Sequence, residues 1–426
     1  MSCRKIGILV AGGPAPGINS VIAAATIRCC LEGAEVFGIS DGFRWLMDGR
    51  IDKVTPLTID RVSRIHFRGG STLGTSRSNP TSDPAAMQRV LESIRSIGLD
   101  GLITIGGDDT AFSAMSLAKA AGDSLQVVHV PKTIDNDLDL PPQIDTFGYQ
   151  TARHVGVGIL QNLMVDARTT GRWYVVVAMG RKAGHLALGM GKASGSTLTL
   201  IPEEFGGRDI SLSQVVDTLV AAIIKRRVDG RADGIAVVAE GVGLCISEKD
   251  LQTIGQIQHD EHGHLRMAEI NLAETLQRMV QSELESLGCG ITIVHKDIGY
   301  ELRSADPIPF DIDYTRDLGY CAAKYLIEGG TGSMVSMQGG RFVPMDLESM
   351  LDPATGRLKV RMVDITSERY GIARRYMIRL RRDDFTDPEQ LERLASECSM
   401  TVEAFKDRFE PLIDNEPPAL RLMDSS

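Results

Sequence analysis

The segment Pro131-Lys132-Thr133-Ile134-Asp135-Asn136-Asp137 gathers a cation, a hydroxyl and two carboxylates. The apolar, β-branched run 126–130 before it reads as a buried strand, so its polar side chains are expected on the loop at that strand's carboxyl end. Open α/β sheets carry their chemistry there. Asp135 and Asp137, at alternate positions, can divide two tasks, one taking a proton and the other holding a divalent metal. Lys132 adds positive charge. Cation, metal ligand and base together suit the transfer of an anionic group to a hydroxyl, of which phosphoryl transfer is the commonest case. The same residues also describe an Asp/Asn-rich turn that hydrogen-bonds only to itself.

Other loops narrow the choice. Residues 102–105 form a short apolar strand that runs into Gly106-Gly107-Asp108-Asp109-Thr110, with a helix expected from Ala111. Glycines let a phosphate approach the backbone, and the unpaired N–H groups of a helix start favour an anion. A carboxylate beside an anion needs a cation between them, which assigns Asp108 to Mg²⁺ and leaves Asp109 to be explained separately. Near the amino terminus, a strand over 6–10 enters Ala11-Gly12-Gly13-Pro14-Ala15-Pro16-Gly17 before a helix over 21–31. Gly12 and Gly13 expose N–H groups to a phosphate, and the Gly-Gly-Pro-x-Pro-Gly spacing is not that of dinucleotide-binding turns. A strand over 172–178 ends in Met179-Gly180-Arg181, placing a guanidinium where it can bind a sugar phosphate or shield a transferring phosphoryl group.

Gly106-Gly107-Asp108-Asp109 followed by the 131–137 segment resembles the phosphofructokinases, and among them the pyrophosphate-dependent branch. ATP-dependent bacterial members have Gly where Asp109 and Lys132 stand and His where Tyr300 stands. The resemblance runs from Gly12 to at least Arg303 and fades in the C-terminal segment. It implies pyrophosphate as donor, fructose 6-phosphate as acceptor and Mg²⁺ as cofactor, with Asp135 as base, Thr133 orienting the sugar, and Asp108 and Asp137 on the metal. It also implies that Gly12, Gly13, Arg77, Asp109 and Lys132 serve the donor. Met179, Gly180, Arg181, Glu240, Lys296, Tyr300 and Arg303 would bind the sugar phosphate, and Arg172 would reach the site of a neighbouring subunit in a homodimer or homotetramer. Asp109 would stand where ATP needs its α-phosphate. An ATP-using member with the same fold is the nearest alternative; a regulatory subunit without catalysis is another, against which Asp108, Asp135 and Arg181 are all present.

These residues need strands that end in loops and helices that begin there. At 426 residues the chain exceeds one hydrophobic core, and the alternation of strands and helices implies two Rossmann-like α/β/α domains with mostly parallel sheets, the phosphofructokinase fold. The expected division is 1–148 with 302–363 for the donor and 149–301 with 364–426 for the sugar phosphate. The 44 glycines exceed the roughly 7% average, as many strand-to-helix turns require. A net charge of −10 argues against a nucleic-acid surface, and no stretch has the apolar length of a membrane span. The 7 cysteines show no Cys-x-x-Cys spacing, as expected of a reduced, cytoplasmic protein. His259, His262 and His264 read as an exposed loop, and the arginine-rich run after Asp364 as amphipathic helix and solvated surface, with fraying after Glu416.

Overall fold

The computed structural model describes residues 4–207, 209–254, 271–414 and 416. The chain forms two compact units, Met1–Val155 with Tyr300–Arg361, and Gly156–Gly299 with Met362–Ser426.

The first unit is built on an eight-stranded sheet. Its strands are β1 (Lys5–Val10), β2 (Glu35–Ile39), β3 (Val54–Leu57), β4 (Gly101–Gly106), β5 (Gln126–Thr133), β6 (Phe147–Gly148), β11 (Ser333–Gln338) and β12 (Arg341–Asp346). The order is β12-β11-β5-β4-β1-β2-β3, with β6 beside the end of β5. Pairing is parallel except at the edges, where β3 and β12 run antiparallel to β2 and β11. Consecutive residues of the central strands enter opposite cores: Leu9, Leu102 and Val127 lie on one face, and Ile8, Ile103 and Val128 on the other. Burial on both faces explains why these strands read as continuous apolar runs. Helices Ile18–Leu31 and Pro309–Ile327 cover one face, and Pro84–Ile97 and Asp108–Ala121 the other. The first pair packs so closely that a Cβ on Gly319 would stand 2.6 Å from the carbonyl oxygen of Val21.

The second unit holds a four-stranded parallel sheet in the order β10-β7-β9-β8, with β7 Trp173–Ala178, β8 Leu198–Leu200, β9 Gly234–Ala239 and β10 Ile293–Ile298. Every residue of β7 and β9 is buried.

The α/β expectation is met, and several boundaries move. The strand before the 131–137 segment continues to Thr133, because Lys132 and Thr133 pair with Phe147 and Gly148; Pro131, Lys132 and Thr133 are therefore strand, not loop. The helix expected from Ala111 starts at Asp108, so both aspartates lie in its first turn. The solvated reading of the C-terminal arginines holds for Arg382, which is exposed, and is wrong for Arg374 and Arg379. Arg374 pairs with Glu204 (3.2 Å) and Glu416, and Arg379 with Glu204 (2.8 Å). Lys225 meets Asp384 at 2.6 Å. Segment composition did not reveal these partners because Glu204 and Lys225 come from earlier in the chain. His259, His262 and His264 and the residues after Glu416 lie outside the described residues. Among the described residues no helix is long and apolar enough to cross a membrane.

Candidate active site

In the first unit the glycine turn, the Gly-Gly-Asp-Asp segment and the 131–137 segment lie at the carboxyl ends of the adjacent parallel strands β1, β4 and β5. Gly12 has φ +81°, open to glycine at little cost. Its N–H donates to Ser76 O (2.8 Å) and its carbonyl accepts from Thr75 Oγ1 (2.6 Å), which places Arg77 next to the turn. Lys132 is buried, and its Nζ donates to the Gly13 carbonyl. A Cβ on Gly12 would lie 3.4 Å from that Nζ and 3.9 Å from Thr110 Oγ1, so Gly12 sits where all three segments meet. Arg303 arrives from a fourth: a Cβ on Gly13 would be 3.1 Å from its Nη2. Tyr300, exposed, lies with its ring 5.5 Å from the Arg303 guanidinium.

Thr133, Asp135 and Asp137 are buried. The Asp135 N–H donates to Thr133 Oγ1 at 3.0 Å, and Thr146 Oγ1 donates to the Thr133 carbonyl at 2.7 Å. Asn136 between the two carboxylates has φ +57°, a left-handed conformation that asparagine tolerates better than most residues. This turns Asp135 and Asp137 away from a simple strand alternation. The Asn136 amide holds the conformation, donating to Asp145 Oδ1 (2.8 Å) and accepting from the Thr146 N–H (2.9 Å).

Two supporting residues escaped the sequence reading. His129, fully buried in β5, bonds through Nε2 to the Gly106 carbonyl (3.1 Å) and through Nδ1 to Thr104 Oγ1 (2.8 Å). A carbonyl only accepts, so Nε2 carries the proton and Nδ1 accepts from the threonine hydroxyl. Burial, opposed by the Gly106 bond and aided by the charge of Lys132, pushes its pKa down to about 3 and keeps it neutral. A histidine inside a β-branched run was the available signal, since a buried polar side chain needs partners. Arg361 gave no such signal. It follows Asp137 by a long stretch of sequence, yet its guanidinium donates to the carbonyls of Asn136 (3.1 Å) and Ile144 (2.8 Å), and its own N–H donates to the Asp137 carbonyl (2.8 Å).

In the second unit Met179, Gly180 and Arg181 follow β7, Glu240 follows β9, and Lys296 lies on β10 beside Val176. Glu240 Oε1 accepts from the N–H groups of Gly180 (3.0 Å) and Arg181 (2.6 Å), and so fixes a turn in which Arg181 has φ +51°. A carboxylate thus shapes the backbone that carries the guanidinium. Glu203 does similar work nearby, its Oε1 accepting from Gly184 N–H and Val363 N–H, both at 2.9 Å; burial raises its pKa. Arg172 precedes β7, at the opposite end of the strand from Arg181, 3.8 Å from Asp166.

The pattern described as Phosphofructokinase matches residues 5–326. The chain is 50% identical over 411 residues, 95% of its length and 98% of the relative's, to the pyrophosphate–fructose 6-phosphate 1-phosphotransferase of Thermotoga maritima. It is 46% identical to the protein of that name from Naegleria fowleri, over 96% of this chain and 95% of the other. Among solved structures, the pyrophosphate-dependent phosphofructokinase of Marinobacter aquaeolei aligns with a TM-score of 0.67 at 15% identity, covering 99% of this chain and 94% of that one, a likeness of fold. By sequence and by fold, the chain belongs to the phosphofructokinase family.

Proposed function

We propose that this protein catalyses reversible transfer of phosphate between pyrophosphate and the 1-hydroxyl of fructose 6-phosphate, giving fructose 1,6-bisphosphate and phosphate. The observation that carries the choice of donor is the Lys132 ammonium, buried in the Gly12–Gly13 turn with Asp109 in the adjoining helical turn. A lysine there supplies charge to a small, highly charged donor. Asp109 opposes a nucleotide: two unit charges about 4 Å apart interact by about 4 kcal/mol at an effective dielectric of 20, enough to decide between donors.

Asp135 is the base in this reading. It takes the proton of the 1-hydroxyl as that oxygen bonds to phosphorus and the anhydride bond breaks, releasing phosphate. Thr133 orients the sugar, while Gly12, Gly13, Arg77 and Lys132 hold the donor. In the second unit Met179, Gly180, Arg181, Glu240 and Lys296 are assigned to the sugar phosphate, and in the first Tyr300 and Arg303. Among the described residues no three His, Cys, Asp or Glu side chains are grouped to hold a metal by themselves. A Mg²⁺ bound largely through substrate phosphates needs only one or two carboxylates, and the hard oxygens of Asp108 and Asp137 fit that demand. When bound, the ion neutralises charge on the donor. Arg172 is assigned to a neighbouring copy in a homodimer or homotetramer. The described cysteines are free thiols, in keeping with a cytoplasmic setting.

Assay of the purified protein with pyrophosphate and with ATP, each with Mg²⁺ and fructose 6-phosphate, tests the donor. Turnover with pyrophosphate and little with ATP is expected; the reverse selects the ATP-dependent reading. The base is tested separately. Asp135→Ser should lower kcat at least about 10²-fold with KM for fructose 6-phosphate nearly unchanged, and a loss carried wholly by KM removes Asp135 from that role.

A further inference from the structure

The Asp135–Asp137 segment cannot hold its shape by its own hydrogen bonds alone. It leaves β5 at Thr133, turns through a left-handed Asn136 and, apart from an isolated bridge at Leu138, runs without regular structure past Pro141, so most of its carbonyls lie outside a ladder. Arg361 answers much of that need from one side chain. Nε and Nη2 donate to the Asn136 carbonyl at 3.2 and 3.1 Å, and Nη2 also meets Asn136 Oδ1. Nη1 donates to the carbonyls of Leu140 (3.3 Å), Pro141 (3.4 Å) and Ile144 (2.8 Å). The main chain adds an antiparallel bridge between Leu138 and Val360 and the bond from Arg361 N–H to the Asp137 carbonyl. The contacts begin on the residue after Asp135 and clasp the peptide that joins it to Asp137.

We infer that Arg361 is a positioning residue for Asp135: its fork of donors fixes the Asn136 carbonyl and the turn behind it, and so sets the direction of the carboxylate that takes the proton. The inference rests on the assignment of Asp135 as base. A guanidinium suits the task because its donors lie in one rigid plane and reach several acceptors at once, while an ammonium is a point charge on a flexible stem.

A double-mutant cycle in the full-length protein tests this. Arg361→Lys should lower kcat by about 10- to 100-fold, the range a misplaced reacting group can produce, with KM for both substrates nearly unchanged. In the Asp135→Ser background the same substitution should cost less than about 2-fold, because the carboxylate it served is gone. Arg361→Gly should regain kcat on addition of guanidinium at low millimolar concentration, and sodium chloride of equal ionic strength should not restore it. Equal losses in both backgrounds, or no rescue by guanidinium, overturn the inference. Full activity of Arg361→Lys overturns it as well. If neither Arg361 variant folds, Arg361→Gln substitutes for them, since its planar amide keeps two of the donors and loses the rest of the fork; it should show a smaller fall in kcat that is again suppressed in the Asp135→Ser background, and additive losses there overturn the inference. Failure of the base assignment looks different: Asp135→Ser alone would leave kcat high.

Discussion

In the first unit the half-buried guanidinium of Arg361 donates to the main-chain carbonyls of Asn136, Leu140, Pro141 and Ile144. In the second, the largely buried guanidinium of Arg374 donates to the carboxylates of Glu204 and Glu416 and to the Tyr370 hydroxyl. Burial disfavours both cations, and the outcomes diverge. For Arg361 burial prevails and the pKa falls; for Arg374 the Glu416 hydrogen bond and the charge of Glu204 overcome it and the pKa rises. Carbonyl dipoles shape a loop around a cation, whereas carboxylates neutralise it. On the proposed role of Asp135, one arginine therefore holds a conformation for chemistry, and the other closes a charge network within the fold.

The sharpest way to separate the two roles is to remove the second cation. Arg374→Met leaves Glu416 buried without its nearest charge and takes one of two arginines from Glu204, although Arg379 still pairs with Glu204 at 2.8 Å and Arg381 lies 3.6 Å from Glu416. Breaking a buried pair in this way costs about 3–5 kcal/mol. The urea midpoint should fall accordingly, with kcat per folded molecule unchanged. A stable variant with a large loss of kcat would erase the distinction between the two arginines.

The same contrast explains what could be seen in the sequence. Lys132, Asp108 and the glycines of both turns could be picked out as candidates because strand-to-loop transitions announce where chemistry can sit, and their residue types suggest which chemistry. Arg361 was not, because its partners are carbonyls, which every sequence has everywhere. Arg374 and Arg379 were misread as solvated because their neutralising partner Glu204 comes from another part of the chain. Lys132 was read as a loop residue and is strand: the short strand Phe147–Gly148 that draws it into the sheet has too few residues to carry a pattern.

Lys132 and Asp109 test whether the charges of the first unit are kept for selectivity. Lys132→Gly should lower kcat/KM for pyrophosphate by about 10- to 100-fold, the worth of a hydrogen bond to a charged group. Asp109→Gly should admit ATP as donor and weaken use of pyrophosphate, since a second carboxylate beside an anion site serves to exclude something. The double variant should approach the ATP pattern, with effects that do not simply add because both residues act on one anion. If Asp109→Gly stays folded and uses ATP no better than its parent, the exclusion argument is wrong.

His129 offers the smallest effect and the cleanest sign. It is neutral in the fold, with its pKa down to about 3 from an ordinary 6.5, chiefly through burial. As pH drops below 6.5 the unfolded chain takes up this proton and the folded protein does not, so stability rises with pH across the window from about 3 to 6.5. The slope from one such group is at most about 1.4 kcal/mol per pH unit. Ion-paired carboxylates also lose stability in acid, so the wild-type curve alone cannot isolate the histidine. His129→Gln keeps a donor for the Gly106 carbonyl and removes the titration. The variant should be less stable than the wild type at pH 7 to 8, and the gap should shrink steadily toward pH 4, as read from thermal midpoints. Parallel curves would mean that the buried imidazole takes its proton as readily folded as unfolded. They would also remove the reason for treating His129 as a neutral link between β4 and β5, and with it the account of how the Gly106–Gly107 turn is held beside Lys132.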